Sequence, residues 1–166
     1  MIYLDNAATI RHKPKEVIDA MVNALQTMGN AGRGQHEDSL AADRIIFETR
    51  LKLSKFFGAS NPRQVAFSKN ATEALNIAIT GLANSGDHII TTAMEHNSVL
   101  RPIYRLANQD IITYDVVGLD KDGNLLMDDF ERLLKKNTKF VVVNHGSNVT
   151  GNLADLSAIS TFCKAH

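Results

Sequence analysis

Residues 64–92 read QVAFSKNATEALNIAITGLANSGDHIITT, and this stretch decides the fold. Two short apolar runs, Gln64–Ser68 and His88–Thr92, are typical of strands. The segment between them, Thr72–Asn84, has the apolar spacing of a helix. A strand, a helix and a second strand in direct succession predict one unit of an α/β fold.

The same alternation continues to the end of the sequence. The predicted elements are the helix Ser98–Ala107, the strand Ile111–Val117, the helix Asp128–Lys136, the strand Lys139–Asn144 and the helix Asp155–Lys164. Asp128 and Glu131 have the spacing of a capping box at the start of their helix. Repeated strand and helix units predict a three-layer sandwich, in which a mainly parallel sheet is covered by helices on both faces.

Two helices are predicted before this regular part. The first runs from Pro14 to about Met28, and a longer one, with apolar residues from Leu40 onward, ends near Gly58. A glycine-containing loop, Asn30–Gln35, separates them. We therefore interpret residues 1–166 as a single folding unit, with an N-terminal arm and helices in residues 1–61 and the alternating part in residues 62–166.

Composition excludes several classes of function. The chain has 166 residues, with 18 Lys and Arg against 18 Asp and Glu, so its formal net charge is zero. Such a chain has no overall field to hold nucleic acid or a membrane surface. It has a single cysteine, no apolar run long enough to span a membrane, and a start without the pattern of a signal peptide. These features predict a cytoplasmic protein.

The loops after the predicted strands are the candidate site, because ligands of parallel sheets bind beyond the carboxyl ends of the strands. Ser68–Glu73 leads into a helix whose N-terminus can hold a phosphate, with the Thr72 hydroxyl as a further donor. The alternative is that Asn70 or Thr72 is a plain helix cap. The loop lacks the glycines of a Walker motif, which excludes that class of ATPase.

The other two loops contribute groups of a different kind. Thr92–Ser98 contains His96, which can lie flat on a planar ligand or can be an ordinary surface histidine. Asn144–Gly151 is rich in side-chain donors between glycines, and its alternative is a polar turn. No spacing of His or Cys residues predicts a metal site. Together the three loops suit a planar, phosphorylated cofactor such as pyridoxal phosphate.

Five motifs resemble one known family. They are Tyr3-Leu4-Asp5-Asn6-Ala7-Ala8-Thr9, Gly32-Arg33-Gly34, Asn70-Ala71-Thr72-Glu73-Ala74, Met94-Glu95-His96-Asn97-Ser98 and Ser147-Asn148-Val149-Thr150-Gly151. In this order they resemble the class V aminotransferases, and most closely their cysteine desulfurase and selenocysteine lyase branch. The resemblance implies the first half of the large domain of a fold-type I pyridoxal-phosphate-dependent transferase.

The resemblance also implies roles for particular residues. Ala71 and Thr72 would contact the cofactor phosphate, and His96 would stack on the pyridine ring as the catalytic histidine. Asn148 would lie beside the phenolic oxygen and the substrate amine. The substrate would also be approached by the backbone of Ala7 and Ala8, and His36 would approach the active site of its own chain or that of the partner subunit in a dimer. The sequence departs from the family pattern at Ala31, Gln35, Asn152 and Asp155.

The function implied is that of the N-terminal part of a cysteine desulfurase. The complete enzyme would convert cysteine to alanine, hold the sulfur as an enzyme-bound persulfide, and form a homodimer. The Schiff-base lysine, the persulfide cysteine, the carboxylate-binding arginine and the aspartate for the pyridine nitrogen would all lie in a C-terminal half, so this chain alone is expected to be inactive. The alternative is a non-catalytic product that binds a phosphorylated ligand or a partner subunit.

Two further residues are expected to have no role in the chemistry. Cys163, on the last predicted helix, is interpreted as a small buried apolar residue. Lys69 is interpreted as a solvated loop charge rather than as the Schiff-base lysine.

Overall fold

The computed structural model describes residues 2–32 and 34–166 and divides the chain into two compact units, Met1–Phe67 and Ser68–His166. Arg33, the central residue of the Gly-Arg-Gly motif, lies outside the described residues. Within the described ranges, no helix is long and apolar enough to cross a membrane.

The first unit contains the two predicted N-terminal helices. Helix α1 is Lys15–Thr27 and helix α2 is Glu37–Phe56, which confirms both predictions to within a few residues. Pro14 directly precedes α1, where its missing N–H costs nothing. Helix α1 ends at Met28, whose backbone turns to an extended conformation while its N–H still donates to the carbonyl of Ala24.

The predicted strand at Gln64–Ser68 is wrong. Pro62–Gln64 instead forms a single 3₁₀ turn, in which the Asn61 side chain accepts from the N–H of Arg63 at 2.9 Å. The Gln64 side chain accepts in return from the N–H of Asn61 at 3.1 Å. In the part of the chain that the structure describes, residues 65–68 pair with no other strand. An apolar run becomes a strand only when a neighbour takes up its backbone hydrogen bonds.

The second unit is an α/β sandwich. Its elements are α3 (Ala71–Leu82), β1 (Asp87–Thr92), α4 (Asn97–Asn108), β2 (Ile112–Val117), α5 (Asp128–Leu133), β3 (Thr138–Val141) and α6 (Leu156–Ala165). The strands form a parallel sheet in the order β2-β1-β3, with Ile90 opposite both Asp115 and Val141. The predicted parallel sheet is therefore confirmed.

Each face of this sheet has its own apolar core, as the three-layer prediction requires. Successive residues of a strand point to opposite faces, so Ile89 and Ile90 enter different cores. On the side of α3 and α4, Ile89 packs with a group of buried residues that comprises Ile79, Val99, Ile103, Leu106 and Ile112. On the side of α5 and α6, Ile90 packs with Val117, Phe130, Ala154 and Ile159.

Helix α5 begins at Asp128 as predicted, but its end and its cap differ from the prediction. It stops at Leu133, and the predicted capping box of Asp128 and Glu131 is wrong, because residue 127 occupies the cap position and makes no side-chain bond. Asp129 is the carboxylate that is used. It accepts from the N–H of Gly118 at 3.1 Å and from Arg132 at 2.8 Å. Asp129 thus links the first turn of α5 to Gly118, the residue that follows β2.

Of the two residues expected to have no role in the chemistry, Lys69 lies in the predicted environment and Cys163 does not. Cys163 is exposed, so its interpretation as a buried residue is wrong; within α6 the buried residue is Ile159, one turn earlier. Partial burial of the thiol nevertheless raises its pKa. Lys69 is 76% exposed at its side chain and lies 3.5 Å from Glu73, which confirms it as a solvated charge.

A buried polar network crosses all three strands. His88 is fully buried, with Nδ1 2.8 Å from the hydroxyl of Thr138 and Nε2 3.1 Å from a carboxylate oxygen of Asp115. The Thr138 hydroxyl accepts from the N–H of Lys135 at 2.8 Å. Its own proton is then free to go to Nδ1, which makes His88 a neutral imidazole that donates from Nε2 to Asp115.

The pKa values of both His88 and Asp115 are lowered in the folded protein. Burial, followed by the Lys135 charge, lowers the pKa of His88, although Asp115 acts to raise it. Burial would raise the pKa of Asp115, but the hydrogen bond and charge of Lys135, 2.6 Å away, together with His88, bring it below its ordinary value. The folded state therefore favours neutral His88 and ionised Asp115.

Candidate functional site

The first candidate loop begins helix α3, and Asn70 is its cap. The Asn70 side chain accepts from the N–H of Glu73 at 2.8 Å, and the Glu73 carboxylate accepts from the N–H of Lys69 at 2.8 Å. The capping alternative raised from the sequence is therefore correct for Asn70. It does not apply to Thr72, which lies inside the first turn of the helix.

This cap leaves donors available at the start of α3. The first N–H groups of a helix have no partner within the helix, and Asn70 satisfies only that of Glu73. Within the described residues, neither the N–H groups of Ala71 and Thr72 nor the Thr72 hydroxyl donates to a protein acceptor. Three donors at the positive end of a helix form a suitable cradle for a phosphate.

The second candidate loop follows β1 and fixes the ring of His96. His96 is the cap of helix α4, with Nδ1 accepting from the N–H of Ser98 at 3.1 Å and lying 2.8 Å from the Ser98 hydroxyl. A backbone N–H can only donate, so the proton of the neutral ring is on Nε2. The ring is exposed and held in one orientation, which suits contact with a flat ligand.

Thr72 and His96 come together in one pocket of about 360 Å³. Its other lining residues are Asn76, Asn97, Ser98 and Arg101. This volume is at the lower end of the range for small-molecule sites. The pocket joins the N-terminal end of α3 to that of α4, and Arg101 provides its positive charge. Its chemistry favours a small anion-bearing ligand.

Asn148 is not among the residues that line this pocket. It is exposed in the turn Asn148–Thr150, which follows β3. The turn is closed by the Ser147 side chain, which accepts from the N–H groups of Val149 and Thr150 at 3.2 Å, and by Gly151, whose φ of +79° favours glycine. The predicted contact of Asn148 with the same ligand stays a prediction.

The residues at two of the unusual positions near this turn have structural roles. Asn152 donates to the carbonyl of Asp122 at 3.0 Å and to the Asn124 side chain at 3.2 Å. Asp155 caps helix α6 by accepting from the N–H of Ala158 at 3.0 Å. Asn152 therefore anchors the chain just after the turn that carries Asn148, and Asp155 stabilises the start of α6.

The remaining predicted site residues belong to the first unit. Ala7 and Ala8 lie in a turn in which the N–H of Ala8 donates to the carbonyl of Asp5 at 3.2 Å. The Tyr3 hydroxyl closes this turn by donating to the carbonyls of Asp5 and Thr9. The exposed backbone of Ala7 and Ala8 is thus held in a fixed turn.

His36 caps the start of α2 by position and is held by its neighbours. Its Nε2 lies 3.0 Å from the Ser39 hydroxyl. A Cβ added to Gly34 would lie 2.9 Å from this nitrogen and 2.2 Å from the Ser39 hydroxyl, so only glycine fits at that position. The glycine loop therefore shapes the surroundings of the His36 ring.

Sequence reasoning missed the pocket residues on helix faces. Asn76 lies one turn after Thr72, and Arg101 lies one turn after Asn97, on the sides of α3 and α4 that line the pocket. Their helical spacing from the motif residues is a signal that could have identified them. A larger pocket of about 580 Å³ lies along β3 and contains none of the predicted site residues.

Comparison with known proteins identifies relatives over the whole chain. A family model described as aminotransferase class-V matches residues 2–166. A probable cysteine desulfurase of Synechocystis sp. is 37% identical over 156 residues, which are 91% of this chain and 37% of the relative. The cysteine desulfurase IscS of Buchnera aphidicola subsp. Schizaphis graminum is 35% identical, over 99% of this chain and 42% of the relative.

Solved structures agree with these sequence relatives. The apo structure of a cysteine desulfurase from Thermococcus onnurineus NA1 has a TM-score of 0.89 and 35% identity, over 99% of this chain and 41% of that one. The cysteine desulfurase CsdA of Escherichia coli has a TM-score of 0.81 and 25% identity, over 98% of this chain and 42% of that one. The chain thus spans about two-fifths of the length of these relatives and matches their N-terminal part.

Proposed function

The chain belongs to the class-V aminotransferase family, and from this we propose that it forms the phosphate- and ring-binding part of a pyridoxal-phosphate-dependent cysteine desulfurase. The observation that carries the proposal is that Thr72 and His96, predicted from separate loops, line one pocket at the N-terminus of α3. The named relatives with similar sequence and structure are cysteine desulfurases, which supports cysteine as the substrate.

The residues present fit this cofactor. Its phosphate needs several donors, and the N–H groups of Ala71 and Thr72 and the Thr72 hydroxyl have no acceptor of their own within the described residues. Arg101 adds a positive charge to the same pocket. Bound pyridoxal phosphate supplies a pyridine ring that accepts electrons from the substrate carbon.

His96 would hold the ring by contact with its imidazole, since the bond from Ser98 to Nδ1 keeps the imidazole in place. Nε2 keeps its proton and can donate to a substrate or cofactor oxygen. Asn148 would donate to the phenolic oxygen, and Ala7, Ala8 and His36 would approach the substrate. This chain covers 37% of the length of one such relative, and we assign the catalytic lysine and the sulfur-accepting cysteine to the part that it does not match.

The edge of β3 is the surface proposed to receive that remaining part. In the part of the chain that the structure describes, β3 is paired only with β1, yet the run Phe140–Val143 contributes apolar residues to the cores on both faces, as in strands that lie inside a sheet. Both edge strands carry a charged residue, Asp115 in β2 and Lys139 in β3, so the difference between the two edges lies in the apolar run Phe140–Val143. The pocket of about 580 Å³ beside β3 is lined partly by Phe140, Val141 and Phe162.

Binding of a cofactor analogue tests the proposed function. Pyridoxine 5′-phosphate has the ring and phosphate but no aldehyde, so it cannot react with surface lysines. We expect the chain to bind it in a calorimetric titration, and Thr72→Val to weaken binding roughly ten- to a hundredfold, because a hydrogen bond to a charged group contributes about 1.5–3 kcal/mol.

Thr80→Val is the matched control, because Thr80 is on the same helix but its hydroxyl donates to the carbonyl of Asn76. This variant should bind like the original chain. Unphosphorylated pyridoxine should bind far more weakly. If pyridoxine and pyridoxine 5′-phosphate bind equally well, or if Thr72→Val leaves the affinity for pyridoxine 5′-phosphate unchanged, the assignment of the phosphate site is wrong.

A further inference from the structure

The half-buried side chain of Glu95 joins the two loops that leave β1 and β3. Glu95 directly precedes His96, and one of its oxygens, Oε1, accepts from the hydroxyl of Thr92 at 2.8 Å and from the N–H of Asn144 at 2.6 Å. Thr92 is the last residue of β1, and Asn144 begins the loop that carries Asn148. A single oxygen thus ties together two segments that are 49 residues apart in the sequence.

The two oxygens of the Glu95 carboxylate have different surroundings: Oε1 accepts two hydrogen bonds and Oε2 accepts none within the described residues. Its second oxygen, Oε2, is buried and has no hydrogen-bond partner within the described residues. Burial raises the pKa of Glu95, and the bonds from Thr92 and Asn144 oppose this shift only in part. A carboxylate with a desolvated, unpartnered oxygen costs stability, so its Oε1 bonds must offset part of this cost.

The Glu95 contacts connect the two loops that carry the candidate site residues His96 and Asn148. The loop after β1 carries His96 and the loop after β3 carries Asn148, and both residues are proposed to contact the same cofactor ring. Other bonds described above order each loop internally, through Ser98 for His96 and through Ser147 for Asn148. The Glu95 bond to Asn144 instead runs from one loop to the other.

We propose that Glu95 is a positioning residue, which sets the distance between the His96 loop and the Asn148 loop so that both can reach one ligand. The inference rests on the proposed function, since the ligand is the proposed cofactor. Glu95 itself touches only protein groups. Its effect on the ligand acts through His96, its neighbour in the chain, and through the backbone of Asn144.

The test compares Glu95→Ala with Glu95→Gln in the full chain. Glutamine keeps an oxygen that can accept from Thr92 and Asn144, whereas alanine removes it. We expect Glu95→Ala to weaken the binding of pyridoxine 5′-phosphate at least about tenfold and Glu95→Gln to stay within about threefold of the original chain. Hydrogen exchange at the Asn144 amide should accelerate in Glu95→Ala and not in Glu95→Gln.

A merely structural role would lower the melting temperature of Glu95→Ala and leave the affinity of the folded molecules unchanged, and this result would overturn the inference. Should Glu95→Ala fail to fold, Glu95→Asp keeps the carboxylate but shortens the side chain by one methylene, which withdraws its oxygen from the N–H of Asn144. It is expected to weaken binding several-fold, and unchanged affinity in Glu95→Asp would then overturn the inference.

The inference and the proposed function can fail separately. If the original chain does not bind pyridoxine 5′-phosphate, the proposed function fails, while exchange at Asn144 still reports whether Glu95 holds the loop. If the original chain binds and Glu95→Ala binds equally well, the proposed function stands and the positioning role is refuted.

Discussion

Amide hydrogen exchange at Val141 and Val143 is expected to slow by about a hundredfold or more when a further polypeptide covers the free edge of β3. The N–H of Val142 donates to the carbonyl of Ile90 on β1. Neighbouring peptide groups of a strand point to opposite sides, so the N–H groups of Val141 and Val143 point away from β1. In the chain alone these two amides are free to exchange.

The comparison is between the 166-residue chain and a chimera in which it continues into the unmatched part of the Thermococcus onnurineus enzyme. Tyr114 and Val116 on β2 are the matched controls. The carbonyl of Val117 accepts from Ala93, so the amide of Val116 points to the opposite, outer edge. Their exchange should be the same in both proteins.

The edge assignment would be contradicted by equal exchange at Val141 and Val143 in both proteins. It would also be contradicted if these amides become protected in the isolated chain as its concentration rises, because the occupant would then be a second copy.

The second large effect is a loss of stability in acid that depends on His88. His88 is neutral in the folded state because burial and Lys135 lower its pKa. In the unfolded chain its pKa is about 6.5, so below that pH the unfolded state takes up a proton that the folded state does not. The free energy of unfolding should therefore fall as the pH drops from 7.5 to 5, by at most about 1.4 kcal/mol per pH unit from this group.

Asp115 and Glu95 also make the stability depend on pH, Asp115 in a lower pH range and Glu95 with the opposite sign. The lowered pKa of Asp115 contributes stability above about pH 4 that is lost only as the pH falls further. The raised pKa of Glu95 has the opposite sign, so its contribution declines as the pH rises above about 4.3. The difference between the original chain and a His88 variant isolates the histidine.

His88→Gln is the appropriate variant, because it cannot be protonated and keeps a donor near Asp115. Urea unfolding at several pH values should give a flatter profile for His88→Gln than for the original chain between pH 7.5 and 5. Parallel profiles would show that another group controls the acid sensitivity.

Much of the fold could be predicted from local sequence, because local and tertiary preferences agree. The run of residues 88–92 is a strand in which every residue is buried, and its β-branched residues suit a strand that is covered on both faces of the sheet. The spacing of Val99, Ile103 and Leu106 gives the buried face of α4. Where the two preferences disagree, the prediction fails. Val65–Ser68 has the composition of a strand but no strand to pair with in the described part of the chain.

The candidate site was predictable to a similar extent. Thr72 and His96 could be found because both follow apolar runs and both begin helices, which places them at helix N-termini. Glu95 could not be assigned a role from sequence, because its partner Asn144 is distant in the chain and is bound through its backbone. The exposure of Cys163 depends on what covers α6, which the composition of that helix alone does not show.

The central claim is that the N-terminus of α3 and the ring of His96 hold the two ends of one phosphorylated pyridine. Nuclear magnetic resonance of the labelled chain during a titration with pyridoxine 5′-phosphate tests it most directly. The account predicts saturable shifts of the Ala71 and Thr72 amides and of the His96 ring signals, all with one dissociation constant. Shifts confined to the lysine-rich pocket beside β3, or Thr72 and His96 signals that stay unchanged at saturation, would contradict it.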